Sequence, residues 1–376
     1  MKHNLEFIKK RLADIRKANL YRALVFSKVS GPYITIEGKK VLNLSSNDYL
    51  GLRHIESKNR QIQSSSRLIA GNDVLFKRLE TKLAQHKSKQ ASLIFPTGYM
   101  ANLGMISILA QKNDLILSDE LNHASIIDSC KLSQAKKSIY KHNDLSDLEK
   151  KLSKKASNKF VVTEGIFSMN GDLSRLDEIS KICKKYDAFL ILDDAHGDFV
   201  IGKDGKGTPE FFGVSKNVDV YISSLSKGLG AFGGYVASSK DIIDLAINTS
   251  RPFIYTSALP NILVEIALER FSARRKQNQR KLWENVYEFH KGLESLGYQI
   301  DSPSHIIPII IGDERRTMNF AKFLLQNGVF AQPIRYPTVS RGTARIRVSI
   351  TAWLSNSHIS KAIDVFEKAG RRFDMT

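Results

Sequence analysis

Short apolar runs alternate with amphipathic segments through the middle of the chain. The runs are predicted as strands, at ASLIF (91–95), DLILSD (114–119), KFVVTEG (159–165), AFLILDDAH (188–196), VDVYISS (218–224) and GGYVAS (233–238). Between them, segments such as 173–187 place apolar residues at helical spacing. Continuous runs of Val, Ile and Leu flanked by helices are typical of parallel strands that are buried on both faces. The alternation therefore predicts an α/β fold with a large, doubly wound, mostly parallel sheet.

The pattern changes after Pro260. A long helical stretch occupies 263–297 and ends at Gly297, where a C-terminal glycine cap is expected. The elements that follow are predicted as a strand at 305–311, a helix around 316–327, a strand at 344–351 and a final helix. We therefore expect three parts: 1–45 as an N-terminal helix and short strand segment, 46–255 as the large α/β domain, and 256–376 as a linking helix and a small C-terminal α+β domain.

The composition of the 376 residues is that of a folded protein, with 42% hydrophobic and 25% charged residues. The apolar runs are far shorter than the ~20 residues that a membrane span needs. The N-terminal segment carries charges throughout and lacks the apolar region of a secretory signal. Two cysteines, Cys130 and Cys183, suit a reducing compartment and exclude a disulfide scaffold. These features predict a globular, cytoplasmic protein.

The charge balance is strongly basic, with 57 Lys and Arg against 38 Asp and Glu, a net charge of +19. Such a balance can indicate a nucleic acid, an anionic membrane or a polyanionic ligand. The basic residues are spread over segments such as 77–89 and 148–159, and no basic tract is interleaved with aromatic residues. We expect a solvated basic surface that favours acidic substrates, with neither a nucleic acid nor a membrane as partner.

Polar clusters follow several of the predicted strands, where ligands of open α/β sheets bind. The clusters are Asp193, Asp194 and His196; Ser224, Ser226 and Lys227; and the segment Glu164 to Ser168. A turn at 96–102 opens a predicted helix whose first N–H groups could hold a phosphate. A lysine nucleophile, a carboxylate for a ring nitrogen and amide donors for a phosphate are the three anchors of pyridoxal phosphate (PLP).

Each of these features also has an ordinary interpretation. Lys227 could be a surface lysine, and His123 a loop histidine with its hydrogen bonds satisfied. Gly98 and Tyr99 could form an ordinary turn with a packed aromatic ring. The segment 193–198 could be a carboxylate–imidazole metal site or a polar exit from a strand. The residues alone leave these alternatives and the cofactor site open.

Longer strings of the sequence resemble the α-oxoamine synthase family from about residue 20 to residue 355. The matching strings are LNLSSNDYLGL (42–52), SRLIAGN (66–72), FPTGYMAN (95–102), LNHAS (121–125), HND (142–144), TEGIFSMNGD (163–172), LDDAHG (192–197), SKGLG (226–230), SALP (257–260) and YPTVSRGTARIRVSIT (336–351). The resemblance implies an aspartate-aminotransferase-like PLP fold of type I and a homodimer with shared active sites. It implies a PLP-dependent acyltransferase that condenses L-alanine with pimeloyl-CoA or pimeloyl-[acyl carrier protein], releasing CO2 and forming 8-amino-7-oxononanoate in biotin biosynthesis.

The resemblance also assigns roles to individual residues. Lys227 would bind PLP and act as acid and base at the substrate Cα, Asp193 would face the ring nitrogen, and His123 would stack on the ring. The other cofactor contacts would be made by Gly98, Tyr99, Ser168, His196, Ser224, Thr256 and Ser257. The substrate contacts would be made by Arg22 (chosen over Tyr21 by residue type), Asn47, His123, Arg335, Thr338 and Arg347, and no metal is expected.

Three other functions stay open at this stage. The first is a sister activity that condenses glycine with acetyl-CoA, as glycine C-acetyltransferase does. The second is a basic nucleic-acid-binding protein built on an enzyme fold, and the third is a metal-dependent hydrolase built on the 193–196 cluster.

Overall fold

The computed structural model describes residues 6–18, 20–21, 26–52, 64–273 and 275–375. The chain divides into two compact units, one formed by Met1–Ser46 with Trp283–Thr376 and the other by Asn47–Leu282. The three-part division expected from the sequence stays a prediction.

Helices and strands alternate along most of the chain. The helices are α1 (Glu6–Lys17), α2 (Val74–Lys87), α3 (Gly98–Leu109), α4 (Ala124–Leu132), α5 (Leu145–Leu152), α6 (Leu176–Lys185), α7 (Thr208–Phe211), α8 (Lys240–Thr249), α9 (Arg251–Ile254), α10 (Asn261–Ser272), α11 (Arg275–Ser295), α12 (Glu314–Gln326) and α13 (Asn356–Arg372). The strands are β1 (Ser27–Ser30), β2 (Tyr33–Ile36), β3 (Lys39–Asn43), β4 (Ala91–Phe95), β5 (Leu115–Asp119), β6 (Lys136–Tyr140), β7 (Lys159–Glu164), β8 (Ala188–Asp193), β9 (Val220–Ser224), β10 (Gly234–Ser238), β11 (Ile306–Gly312), β12 (Val329–Phe330), β13 (Gln332–Ile334) and β14 (Ala344–Ser349). A π-helical turn at Arg67–Gly71 precedes α2.

The unit Asn47–Leu282 is built on a seven-stranded sheet in the order β4-β10-β9-β8-β7-β5-β6. The strands β9, β8, β7, β5 and β6 run parallel, and β10 is antiparallel to both of its neighbours. The predicted doubly wound, mostly parallel sheet is confirmed, and all six strands expected from the sequence are present. Because the central strands are parallel, the last residues of β7, β8 and β9 lie next to one another, where the strands have their carboxyl ends.

The core of this unit lies between the sheet and the helices that cover it. Apolar side chains from the strands and from α3 form one buried cluster, which includes Leu93, Phe95, Met105, Ile116, Val162, Ile191, Ile222 and Val236. The buried runs that predicted the strands therefore supply the core, as expected for strands covered on both faces.

The strand β6 was missed by the sequence analysis. It opens with Lys136 and Lys137, and most of its residues are at least partly exposed. As the last strand of the sheet it pairs on one side only, with β5. An edge strand of this kind lacks the continuous apolar run that marks the buried strands.

The single helical stretch predicted at 263–297 is wrong, because the structure divides it into α10 and α11. The backbone is extended at Ala273, directly after α10, although the sequence has no Gly or Pro at this break. Arg275, the first residue of α11, lies over the rings of Phe199 and Phe271, 5.1 and 4.5 Å from their centres. Tertiary contacts of this kind leave no trace in helical periodicity. Gly297 follows α11 with φ +91°, the conformation that a glycine cap requires.

The solvated surface predicted for the basic segment 77–89 is wrong at its end. Lys87 is the last residue of α2 and is only 5% exposed. Its ammonium donates to Asp198 at 2.5 Å and also contacts the Lys206 carbonyl and the Tyr221 hydroxyl. A buried lysine of this kind needs a counter-charge, which Asp198 supplies from a distant part of the sequence.

The unit formed by Met1–Ser46 and Trp283–Thr376 has two small sheets. One has the order β1-β2-β3-β12 and the other the order β11-β14-β13. A small apolar cluster covers the first of these sheets, in which Leu325 and Phe330 pack against Ile34, Ile36 and Val41. Among the described residues, no helix combines the length and the apolar composition that a bilayer span requires.

Candidate active site

Three acidic or hydroxyl side chains lie side by side at the carboxyl edge of the large sheet. Glu164, Asp193 and Ser224 are the last residues of β7, β8 and β9, and Glu164 is paired in register with Asp193. The continuous apolar runs place these strands next to one another, and the polar residues that end the runs therefore converge. Lys227 and His196 follow within a few residues.

Lys227 is hydrogen-bonded to His196, with 2.8 Å between Nζ and Nε2. The other ring nitrogen, Nδ1, lies 2.7 Å from the hydroxyl of Tyr49. That hydroxyl also donates to Oδ1 of Asn47 at 3.0 Å. The contact brings Asn47, His196 and Lys227 together through Tyr49, to which the sequence analysis gave no role.

Asp193 is linked to His123 by a chain of hydrogen bonds through Asn102 and Ser125. Asn102 Nδ2 donates to Asp193 Oδ2 at 2.6 Å and contacts Ser125 Oγ at 2.9 Å. Ser125 Oγ lies 2.8 Å from His123 Nδ1, and the Ala195 N–H holds the other oxygen of Asp193 at 3.0 Å. Asn102 and Ser125 therefore orient both predicted groups. Asn102 and Ser125 lie in the segments 95–102 and 121–125, which carry the family resemblance. Their residue types alone do not indicate this role.

Burial sets the ionisation of His123 and Glu164. It lowers the pKa of His123, an effect that Lys227 reinforces and Asp193 opposes. Burial also raises the pKa of Glu164 well above its usual range, and Asp193 adds to the rise. Glu164 Oε1 accepts the backbone N–H of His123 at 2.5 Å. These shifts favour the neutral forms of the imidazole and of the carboxylic acid beside Asp193.

The start of α3 and the end of β9 form a second part of the site. Thr97 caps the helix by accepting from the Met100 N–H at 3.1 Å, and Gly98 opens it. A Cβ added at Gly98 would lie 3.1 Å from Ser224 Cβ, and one at Gly234 would collide with the backbone of Thr97 and Gly98. This close approach brings the free N–H groups of a helix start against the Ser224 hydroxyl, an arrangement suited to a phosphate.

The remaining predicted residues lie in several places. Tyr99 is partly exposed, its hydroxyl donates to Asp128, and its ring centre is 6.2 Å from that of His123. Ser168 lies in the hairpin that follows β7. Thr256 and Ser257 follow α9 and line a small cavity with Arg67.

The predicted substrate residues beyond Asn47 and His123 lie in the other compact unit or outside the described residues. Arg347 is buried on β14 and donates to Ser349 Oγ at 2.8 Å. The Thr338 N–H donates to the Arg335 carbonyl at 3.0 Å. Arg22 lies outside the residues that the structure describes.

The donor set fits PLP. Lys227 Nζ can bond to its aldehyde, and the Asp193 carboxylate can pair with its ring nitrogen. The start of α3 at Gly98, together with the Ser224 hydroxyl, can hold its phosphate. A metal site has less support, because Asp194 and Asp198 are occupied by the Thr208 hydroxyl and by Lys87. Within the described part of the chain, no three His, Cys, Asp or Glu side chains converge as metal ligands.

The fold and this site define a PLP-dependent enzyme of fold type I. The model of the family "Aminotransferase class I and II" matches residues 39–366. The chain belongs to this family, and several relatives that match it over their full length are named 8-amino-7-oxononanoate synthase.

One such relative, from Thermoanaerobacter pseudethanolicus, is 41% identical, with 99% of each chain covered. Among solved structures, SPT with PLP is 27% identical with a TM-score of 0.93, covering 100% of both chains. The 8-amino-7-oxononanoate synthase of Francisella tularensis is 28% identical with a TM-score of 0.75, covering 88% of this chain and 98% of that one. These similarities confirm the predicted family, fold, cofactor and acyl-transferring activity, and they favour the synthase over the glycine-dependent alternative.

Proposed function

We propose that the protein condenses L-alanine with a pimeloyl thioester of CoA or acyl carrier protein, giving 8-amino-7-oxononanoate, CO2 and the free thiol. The observation that carries this proposal is the 2.8 Å contact between Lys227 and His196, in a chain that is 41% identical over its length to an 8-amino-7-oxononanoate synthase. The hydrogen-bond chain from Asp193 to His123 completes a site of the required chemistry.

The residues of the site divide the chemistry among them. Bound PLP supplies an aldehyde that links to the amino acid and a ring that accepts the electron pair left at Cα. Lys227 Nζ removes the proton from Cα and later returns one, and His196 orients it through Nε2. Asp193 keeps a proton on the ring nitrogen, which strengthens the ring as an electron acceptor.

The remaining cofactor contacts follow from the resemblance. The Gly98–Tyr99 turn and Ser224 would hold the phosphate. His196 and Ser168 would hydrogen-bond the ring 3-oxygen, and the imidazole of His123 would stack on the ring face.

The substrate contacts are proposed for the residues that the resemblance names. Arg347 receives the alanine carboxylate with two parallel N–H donors, a geometry that suits arginine better than lysine. Asn47 and His123 contact the amino acid. Arg335 and Thr338 contact the acyl chain, and Arg22 receives the distal carboxylate of the pimeloyl group.

The protein is proposed to work as a cytoplasmic homodimer. Tyr255, next to Thr256, is 73% exposed, and Ile69 is 83% exposed. The backbone bond from Ala258 N–H to the Ser65 carbonyl brings these two segments together. Exposed apolar side chains of this size favour a partner surface, and Thr256 and Ser257 would then reach the phosphate in the neighbouring site. Both cysteines are buried free thiols, which suits a reducing compartment.

The substrates are tested by combining alanine or glycine with pimeloyl-CoA or acetyl-CoA in a two-by-two assay of the PLP-loaded protein. We expect the pair alanine and pimeloyl-CoA to give the highest kcat/KM. With pimeloyl-CoA fixed, alanine should exceed glycine by about 10-fold or more, because a pocket that fits one methyl group gains that much from it. Mass spectrometry identifies the product, and the protein without PLP is the control. A preference for glycine with acetyl-CoA would replace this proposal by the sister activity.

A further inference from the structure

His142 lies between two carboxylates. Its Nδ1 is 2.9 Å from Asp119 Oδ1, and its Nε2 is 2.5 Å from Asp172 Oδ2. The ring edge packs against Phe167, with 4.4 Å between the centres of the two rings. His142 belongs to the HND string (142–144), to which the proposed function gives no role.

Both ring nitrogens of His142 face oxygens that only accept hydrogen bonds, so both carry a proton and the ring is charged. Burial alone would lower the pKa of His142, but the hydrogen bonds to Asp119 and Asp172 raise it to about 10. The side chain of Glu120 accepts the backbone N–H of His142 at 2.8 Å. The imidazolium therefore has one carboxylate at each ring nitrogen.

Asp119 organises the turn that leads to His123. It ends β5, and its Oδ1 accepts the Leu121 N–H at 2.9 Å while its Oδ2 accepts the Asn143 N–H at 3.2 Å. The turn also has a hydrogen bond between two backbone groups, from the Asn122 N–H to the Asp119 carbonyl at 3.2 Å. The position of His123 therefore depends on the Asp119 carboxylate.

Asp172 closes the hairpin that carries Ser168. The Phe167 N–H donates to the Asp172 carbonyl at 2.9 Å, and the Gly171 N–H donates to the Phe167 carbonyl at 2.8 Å. Asn143 Nδ2 contacts both Asp172 Oδ2 and the Leu173 carbonyl, at 3.3 and 3.1 Å. The side chains at 142 and 143 therefore tie this hairpin to the end of β6.

We propose that His142 is a positioning residue that joins the turn carrying His123 to the hairpin carrying Ser168, so that both segments keep fixed positions beside the cofactor. The roles of His123 and Ser168 toward PLP rest on the proposed function, whereas the joining of the two segments does not. His142 itself touches neither cofactor nor substrate.

The variant His142→Gln tests this in the full-length protein without PLP, by hydrogen–deuterium exchange read out by mass spectrometry. A glutamine amide can donate to one of the two carboxylates and presents an oxygen to the other. We expect higher deuterium uptake in peptides covering 119–125 and 165–174. His358→Gln, which alters a histidine at the start of α13, should leave both peptides unchanged. Unchanged uptake in either peptide of His142→Gln would overturn the proposal.

The variant Asp172→Asn separates charge from packing, and it provides the answer if His142→Gln does not fold. Asparagine keeps an acceptor oxygen but removes one negative charge, so the pKa of His142 should fall. A histidine whose pKa is raised in the folded state stabilises the fold fully at pH values below 6.5, its pKa in the unfolded chain. This stabilisation is lost as the pH rises through the folded-state pKa of about 10. In the variant this loss should be complete at a lower pH. A merely structural role of Asp172 would shift stability by the same amount at every pH.

The readout is the dissociation constant of PLP, measured from its absorbance between pH 7 and pH 9. We expect the ratio of the variant's dissociation constant to that of the parent protein to rise with pH. A ratio that is constant over this range would contradict the role of the charged ring. Since neither measurement uses a substrate, a wrong substrate assignment would show only in the condensation assay.

Discussion

The variant Lys227→Ala is expected to lose multiple-turnover activity, with kcat lower by about 10⁴-fold or more, because it lacks both the group that bonds to the cofactor and the base that acts at Cα. His196 would keep its bond to Tyr49 but have no lysine to orient. The measurement is a steady-state assay of thiol release from pimeloyl-CoA with saturating alanine and PLP. The unfolding midpoint in urea is expected to stay close to that of the parent protein.

Lys240→Ala is the matched control for this variant. Lys240 lies in the same unit, at the exposed start of α8, and its ammonium pairs with Asp244 on the surface. An exposed i,i+4 pair of this kind contributes little to stability, and we expect unchanged turnover. If Lys227→Ala kept the kcat of this control, Lys227 would not be the catalytic lysine.

The variant Lys87→Met is expected to have the largest effect on stability, lowering the free energy of unfolding by about 3–5 kcal/mol. Burial lowers the pKa of Lys87, but Asp198 opposes this effect from 2.5 Å away. Burial would also raise the pKa of Asp198, but Lys87 and His86 together hold it well below its usual range. Methionine would fill the space and leave the Asp198 carboxylate buried without its counter-charge. Urea unfolding of the PLP-free protein measures the effect.

Two further variants distinguish a buried ion pair from simple packing. Lys77→Met changes an exposed lysine on the same helix and should alter stability by less than about 0.5 kcal/mol. The double variant Lys87→Met/Asp198→Leu removes both charges, and it should be more stable than Lys87→Met alone, because no unpaired charge remains. A double variant as unstable as the sum of its two single variants would show that the two residues act independently.

Much of the large unit could be predicted because its buried strands leave a strong pattern. Runs such as AFLIL before Asp193 and VYI before Ser224 need no tertiary information to be recognised as strands. The parallel order then brings their polar ends together, which is why Asp193, Ser224 and Lys227 were found from the residues alone. Roles beyond this clustering came from the resemblance.

The features that were missed depend on contacts between distant parts of the sequence. Lys87 looks like any other lysine of a basic helix until the segment after β8 brings Asp198 against it. Asn102 and Ser125 gain their importance from bonding to Asp193 and His123. These four residues come from three different segments of the chain. No Gly or Pro lies between α10 and α11, and the contacts of Arg275 with Phe199 and Phe271 join residues that are far apart in the sequence. The periodicity of apolar residues indicates which face of one helix or strand is buried. It carries no information on contacts between residues that are distant in the sequence.

The central claim is that Lys227 is the residue to which PLP bonds. Sodium borohydride reduces the carbon–nitrogen double bond between a lysine and PLP and so makes the attachment permanent. Peptide mapping of the reduced, PLP-loaded protein by mass spectrometry then locates the added mass. We predict the phosphopyridoxyl mass on the peptide that contains Lys227, and its absence from that peptide in Lys227→Ala. The same mass on a different lysine, or on none, would show that Lys227 is not the residue that binds the cofactor.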